Sequence, residues 1–274
     1  MMVGALVYFF VPALVGVLIG IASGLLGIGG GTVMVPIFRL AFGMSATMST
    51  ATSLFAIIPT SISGAISHVK GKTCIPALGI AAGLGGACLS PVGVWLAQLS
   101  PDWLVMLAAA LIIGYSAIHM FKKAFKLRPA GQPAAGTDAA APTADDSSLS
   151  RKQLLQGAAI GLVAGLASGY VGVGGGFIMV PLMLSIIGIP MRKASGTSLI
   201  AVMILAIPGV IEQGIIGNIN YLAGIAIVIG TIPGAVIGAR LVTKVPERTL
   251  RLLFGCFLIV AAVMLVLNEV GIFG

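Results

Sequence analysis

The residues best placed to do chemistry in this chain are two glycine clusters. Gly27, Gly29, Gly30 and Gly31 form GIGGG, and Gly172, Gly174, Gly175 and Gly176 form GVGGG. Each cluster sits inside a long apolar stretch, shortly after a serine, Ser23 or Ser168. Glycine costs a helix interior about 1 kcal/mol relative to alanine, so three in a row predict a break. A half-helix starting after the break presents unpaired N–H groups and the positive end of its dipole. Such an end attracts anions.

Hydroxyls add donors. Thr50, Thr52 and Ser53, and likewise Ser195, Thr197 and Ser198, open the helices that follow. The candidate substrate-binding set is Ser23, Gly27, Gly29, Gly30, Gly31, Thr52, Ser53, Ser168, Gly172, Gly174, Gly175, Gly176, Thr197 and Ser198. Plainer roles compete: close helix packing for the glycines, capping or back-bonding for the hydroxyls. A site of backbone and hydroxyl donors without a carboxylate suits an anion better than a cation. Glu212 is the one carboxylate near a helix body. It is either a proton-coupling group or an interfacial loop acid.

No catalytic constellation is present: no GxSxG, HExxH, P-loop or EF-hand loop. The chain is therefore read as no enzyme, with no catalytic residues, no cofactor and no metal. Cys74, Cys88 and Cys256 form no CxxC pair and read as small apolar helix residues. His68 and His119 lie near segment ends and read as interfacial.

The elements that position the clusters are membrane helices. Hydrophobic residues make up 58% of the 274 and charged residues only 8%, against roughly 25% charged in a soluble domain. Lipid is the solvent that fits such a chain. The net charge of +8 does not indicate nucleic acid, because the basic residues gather in loops between apolar runs. MMVGALVYFF lacks the basic start of a signal peptide and reads as part of the first mature segment. Apolar stretches fall at about 3–43, 47–67, 74–98, 103–121, 153–190, 197–216, 220–242 and 250–268. Most match the ~20 residues of a spanning helix; the first and fifth are too long for one.

Residues 126–152 are rich in Pro, Ala, Ser and Asp and cannot bury enough surface to fold. They read as a flexible cytoplasmic linker between a first transmembrane repeat (1–125) and a second (153–274). The two repeats are copies. GIASGLLGIGGGTVMVP at 20–36 matches GLASGYVGVGGGFIMVP at 165–181 at eleven of seventeen positions, with an offset of 145. The offset persists through Thr52-Ser53-Leu54 and Thr197-Ser198-Leu199, Gly64 and Gly209, and Pro101-Asp102 and Pro246-Glu247. Duplication follows.

Lysine and arginine set the orientation. Lys70 and Lys72, the linker region, Arg192 and Lys193, and Lys244, Arg248 and Arg251 are basic; the loops at 43–46, 99–102 and 214–219 carry neither residue. Equivalent loops in the two halves have opposite bias, which predicts repeats of inverted topology. The linker and the Arg192–Lys193 loop are both basic, so 153–190 must enter and leave on one side. Its 38 residues, at about 1.5 Å of rise each, fit a helical hairpin with the glycines at its tip. The same logic makes 3–43 a hairpin from the opposite side. The expected fold is an all-α polytopic membrane protein of two inverted-topology repeats, each a glycine-tipped helical hairpin plus three transmembrane helices. Arg39 is the one basic residue this scheme leaves outside the cytoplasm.

The doubled (S)GxxGxGGGxxxVP pattern, at Ser23–Pro36 and Ser168–Pro181, resembles the sulfite exporter TauE/SafE family of membrane permeases. The similarity covers about 12–268 apart from the linker. The resemblance implies a secondary transporter of a small sulfur-containing anion (sulfite, sulfoacetate or a related organosulfonate), multi-pass in the cell inner membrane, working by alternating access, with export as the favoured direction. The residues alone give only a small anion. An anion channel and a cysteine-based sulfur-relay protein are the competing readings. Partners are then the anionic substrate and the lipid bilayer, without nucleic acid; a homo-oligomer is left open.

Overall fold

The structure is a computed structural model that describes residues 2–126 and 150–269. The expected linker, 126–152, lies almost entirely outside the described residues. Ten α-helices follow in order: α1 (Met2–Leu26), α2 (Gly31–Phe42), α3 (Ala46–Lys70), α4 (Pro76–Leu99), α5 (Asp102–Lys126), α6 (Arg151–Val171), α7 (Gly176–Leu182), α8 (Met191–Ile216), α9 (Tyr221–Leu241) and α10 (Glu247–Glu269). A π-helical turn, Met183–Ile187, continues α7. No strand occurs among the described residues. Helices α2, α3, α4 and α5 each begin 145 residues before α7, α8, α9 and α10, the offset of the sequence repeat.

Local chemistry explains the boundaries. Ser45 accepts from the Met48 N–H at 3.2 Å and Asn220 from the Ala223 N–H at 3.1 Å, the usual N-cap bonds. Gly43, Gly188 and Gly217 end their helices in the left-handed region. Asp102 and Glu247 do more than begin α5 and α10. The Asp102 carboxylate accepts from the Ala46 N–H at 3.3 Å, and Glu247 accepts from the Met191 N–H at 3.0 Å. Each acid thus satisfies the start of α3 or α8, where a negative charge is favoured.

Helix directions follow from which residues meet. On α1, a Cβ at Gly16, Gly20 or Gly24 would run into the α9 carbonyls of Ile227, Thr231 and Ala235 in turn. On α6, Gly161, Gly165 and Gly169 meet the α4 carbonyls of Ala82, Gly86 and Ser90 in the same way. Both pairs therefore run parallel, backbone against backbone. Gly64 of α3 lies against Leu199 of α8, while Gly209 of α8 lies against Leu54 of α3, so these two central helices are antiparallel. The start of α9 is tied to α3 by Asn220 N–H to Thr52 Oγ1 (3.0 Å), and that of α4 to α8 by Ile75 N–H to Thr197 Oγ1 (2.9 Å). Consequently α1, α3 and α9 share one direction and α4, α6 and α8 the other. Each of these six helices opposes its own repeat counterpart.

Seven of the described helices are long and apolar enough to cross a membrane. Their outward faces carry Leu111, Tyr115 and Ile215, at 65%, 72% and 82% exposure. Such a surface belongs in lipid rather than water. The least apolar of the seven, α3, is also the most buried; its hydroxyls point inward.

Candidate functional site

The two glycine clusters fall between α1 and α2 and between α6 and α7, where the sequence puts the hairpin tips. Gly27, Gly29 and Gly30 have φ of 76°, 81° and 86°; Gly172, Gly174 and Gly175 have 72°, 89° and 67°. A left-handed conformation at three of four successive glycine positions is open to no other residue type without strain.

The tips abut. A Cβ at Gly31 would strike the Val173 carbonyl, and one at Gly176 would strike the Gly27 carbonyl. Ile28, Val173, Ile57 and Val202, all buried, fill the space around the contact. The N–H groups of Gly27 and Gly172 close their helices onto the Ser23 and Ser168 carbonyls at 2.8 and 2.7 Å. Beyond them, among the described residues, the N–H groups of Ile28, Gly29, Gly30, Gly31 and Thr32 donate to no carbonyl, nor do those of Val173, Gly174, Gly175 and Phe177. Runs of inward-facing backbone donors of this kind form anion-binding concavities.

Buried side-chain hydroxyls lie on the tip helices and on the helices packed against them. Ser23, Thr32, Ser49, Ser53, Ser61, Ser90, Ser168 and Ser195 are buried, and their hydroxyl oxygens have no partner among the described residues. A buried polar group without a partner costs roughly 1–3 kcal/mol, so each of these hydroxyls calls for an explanation. Ser23 lies beside Gly30 and Ser61 beside Gly29.

The other residues singled out from sequence divide. Ser198 donates to the Gly27 carbonyl at 2.7 Å and to the Ser195 carbonyl at 2.8 Å, holding the first tip against α8. Beside Gly172 stands Thr50, the counterpart of Ser195, whose backbone borders Gly27. The hydroxyls of Thr52 and Thr197 are engaged with the loops before α9 and α4, and Thr197 also donates to the Lys193 carbonyl at 2.7 Å. Thr32, Ser49, Ser61 and Ser90 were not singled out from sequence. Ser49, Ser61 and Ser90 align with alanines Ala194, Ala206 and Ala235, and Thr32 with Phe177, so reading the repeat passes over them. The hydroxyl-rich composition of α3 was the available signal.

His68 is a correction. It is fully buried rather than interfacial, with Nε2 2.7 Å from the Gly24 carbonyl and Nδ1 2.7 Å from Thr73 Oγ1. A carbonyl only accepts, so Nε2 is the donor, and the imidazole satisfies one of the orphan carbonyls that end α1. Its counterpart Gln213 accepts from Asn218 at 2.8 Å, with Asn218 standing where Thr73 does. Cys88 and Cys256 lie on exposed faces. Glu212 is half-buried in the last turns of α8, not in a loop. No group of three or more metal-ligating side chains occurs among the described residues.

Comparison with known proteins gives one family. A family model described as sulfite exporter TauE/SafE matches residues 12–265. The probable membrane transporter protein YunE of Bacillus subtilis is 27% identical over 277 residues, covering 97% of this chain and 99% of that protein. YdhB of the same organism, also a probable membrane transporter protein, is 28% identical over 235 residues, covering 85% and 90%. A probable membrane transporter protein of Haemophilus influenzae is 29% identical over 275 residues, covering 93% and 97%. No solved structure matches.

Proposed function

This chain belongs to the sulfite exporter TauE/SafE family of membrane transporters, and from that premise we propose that it carries a small sulfur-containing anion on the glycine tips. The observation that carries the reading is the meeting of two broken hairpins, each with unpaired N–H groups, with the partnerless hydroxyls of Ser23 and Ser61 beside the first. Sulfite, sulfoacetate and related organosulfonates fit such a site because it offers several donors and no competing carboxylate. Ser23, Ser53 and Ser168 are the hydroxyls we assign to substrate among those singled out from sequence. Thr32 and Ser61 join them.

Transport then proceeds by alternating access. The opposed directions of counterpart helices, combined with the basic loops, support two repeats inverted across the inner membrane. Rocking of one repeat against the other would part the tips toward one face and then the other. The packing of Ile28, Val173, Ile57 and Val202 around the tip contact favours a carrier over an open anion channel. Exposed Cys88 and Cys256 argue against a cysteine relay.

The test is flux in proteoliposomes with sulfite, sulfoacetate, thiosulfate and sulfate, with and without a pH gradient. Saturable flux of a sulfur oxyanion supports the reading. Ohmic conductance without saturation would point to the channel, and no flux of any of the four would sink the substrate assignment.

A further inference from the structure

A cleft lined in part by basic side chains lies where the ends of α3 and α9 come together, apart from the tips. Its volume is about 540 Å³, and its walls include Ser63, Ser67, Lys70, Arg240 and Thr243, with Ile66 on the apolar side. A space of this size accommodates a small ligand or a headgroup. Ser63 donates to the Thr60 carbonyl at 2.9 Å, and Thr243 to the Arg240 carbonyl at 3.2 Å. Ser67, Lys70 and Arg240 keep their donors for the cleft. Neither cation pairs with a carboxylate among the described residues.

The duplicated half differs here, as the opposite charge bias of equivalent loops already requires. It carries Ile215 for Lys70, Trp95 for Arg240 and Glu212 for Ser67. The two cations are therefore particular to this cleft. A guanidinium fork and an ammonium lining one cleft from the ends of α3 and α9, with the Ser67 hydroxyl in the same wall, match the oxygens of a phosphate or sulfonate.

We propose that this cleft is a second anion site, separate from the glycine tips, in which Lys70 and Arg240 hold an oxyanion head group. The shared chemistry has two sources, the phosphate of an anionic phospholipid and a soluble oxyanion.

The experiment uses the full-length purified protein. One arm measures retention of phosphatidylglycerol over phosphatidylcholine by native mass spectrometry. The other measures thermal protection by inorganic phosphate against chloride at equal ionic strength. Lys70→Gln with Arg240→Gln should lower one of the two by roughly tenfold or more, whereas Lys70→Arg with Arg240→Lys should keep it. Loss of lipid retention identifies the headgroup as the source, and loss of phosphate protection identifies a soluble anion. Equal retention and equal protection in wild type and the Gln pair overturn the proposal and leave the charges with an orienting role only. If the pair fails to insert, Lys70→Gln alone must still weaken one readout; no change there overturns it equally.

Discussion

The two glycine tips share a motif, a register and a backbone conformation, yet their surroundings differ. At the first tip Thr32 and Ser61 are buried hydroxyls without partners; at the second their places are taken by Phe177 and Ala206. The first tip is fastened by Ser198 to the Gly27 carbonyl. Its repeat counterpart, Ser53, has a buried hydroxyl without a partner. Duplication therefore accounts for the break in each hairpin, while divergence of the neighbours decides which break carries polar contacts. The first tip is the more polar of the two.

The largest effects should come from the glycines, where the tips are alike. Gly30→Val places a β-branched residue at φ 86° against Met34 and Ile19, and Gly175→Val does the same at φ 67° against the Ala164 carbonyl. Each should abolish proteoliposome flux at matched protein levels. If one tolerates valine, only the other tip takes part in transport.

Removing hydroxyls should separate the tips. Ser23→Ala, Ser61→Ala and Thr32→Val should each weaken anion binding roughly 5- to 30-fold, the equivalent of about 1–2 kcal/mol for a hydrogen bond to a charged ligand. Ser168→Ala should fall at the low end of that range. Titration of purified protein with sulfite reads all four, and a larger loss for Ser168→Ala than for Ser23→Ala would reverse the comparison.

Smaller again are changes to hydroxyls that hold loops. Thr52→Val and Thr197→Val each leave a loop N–H without its acceptor. Each should cost about 1 kcal/mol of stability, seen as a lower melting temperature with substrate affinity unchanged. A fall in affinity without a fall in melting temperature would move these threonines into the site. The smallest effect should come from replacing 131–147 with a short Gly/Ser stretch, which should leave flux nearly intact. Loss of flux at normal membrane levels would mean that this segment does more than connect the repeats.

Much of this was legible in the sequence because lipid limits the choices. The apolar runs, the glycine breaks and the offset of 145 fix ten helices and two tips. What escaped was contact between halves. Nothing local in Thr52 or Thr197 says that its hydroxyl will meet a loop N–H of the opposite repeat. His68 reads as interfacial because it lies near a segment end, yet its ring turns inward to end α1. The pairing of glycines spaced by four on α1 and α6 with carbonyls of α9 and α4, respectively, likewise needs the fold. Thr32 and Ser61 escaped for the opposite reason: attention to what the repeats share hides what only one of them has.

The most direct test of the central claim is equilibrium binding of sulfite to wild type and to a Ser23→Ala, Thr32→Val, Ser61→Ala triple variant, both confirmed as folded. The account predicts that the triple variant loses measurable binding while Ser168→Ala retains it in weakened form. Wild-type affinity in the triple variant would place the anion elsewhere and reduce the glycine tips to packing.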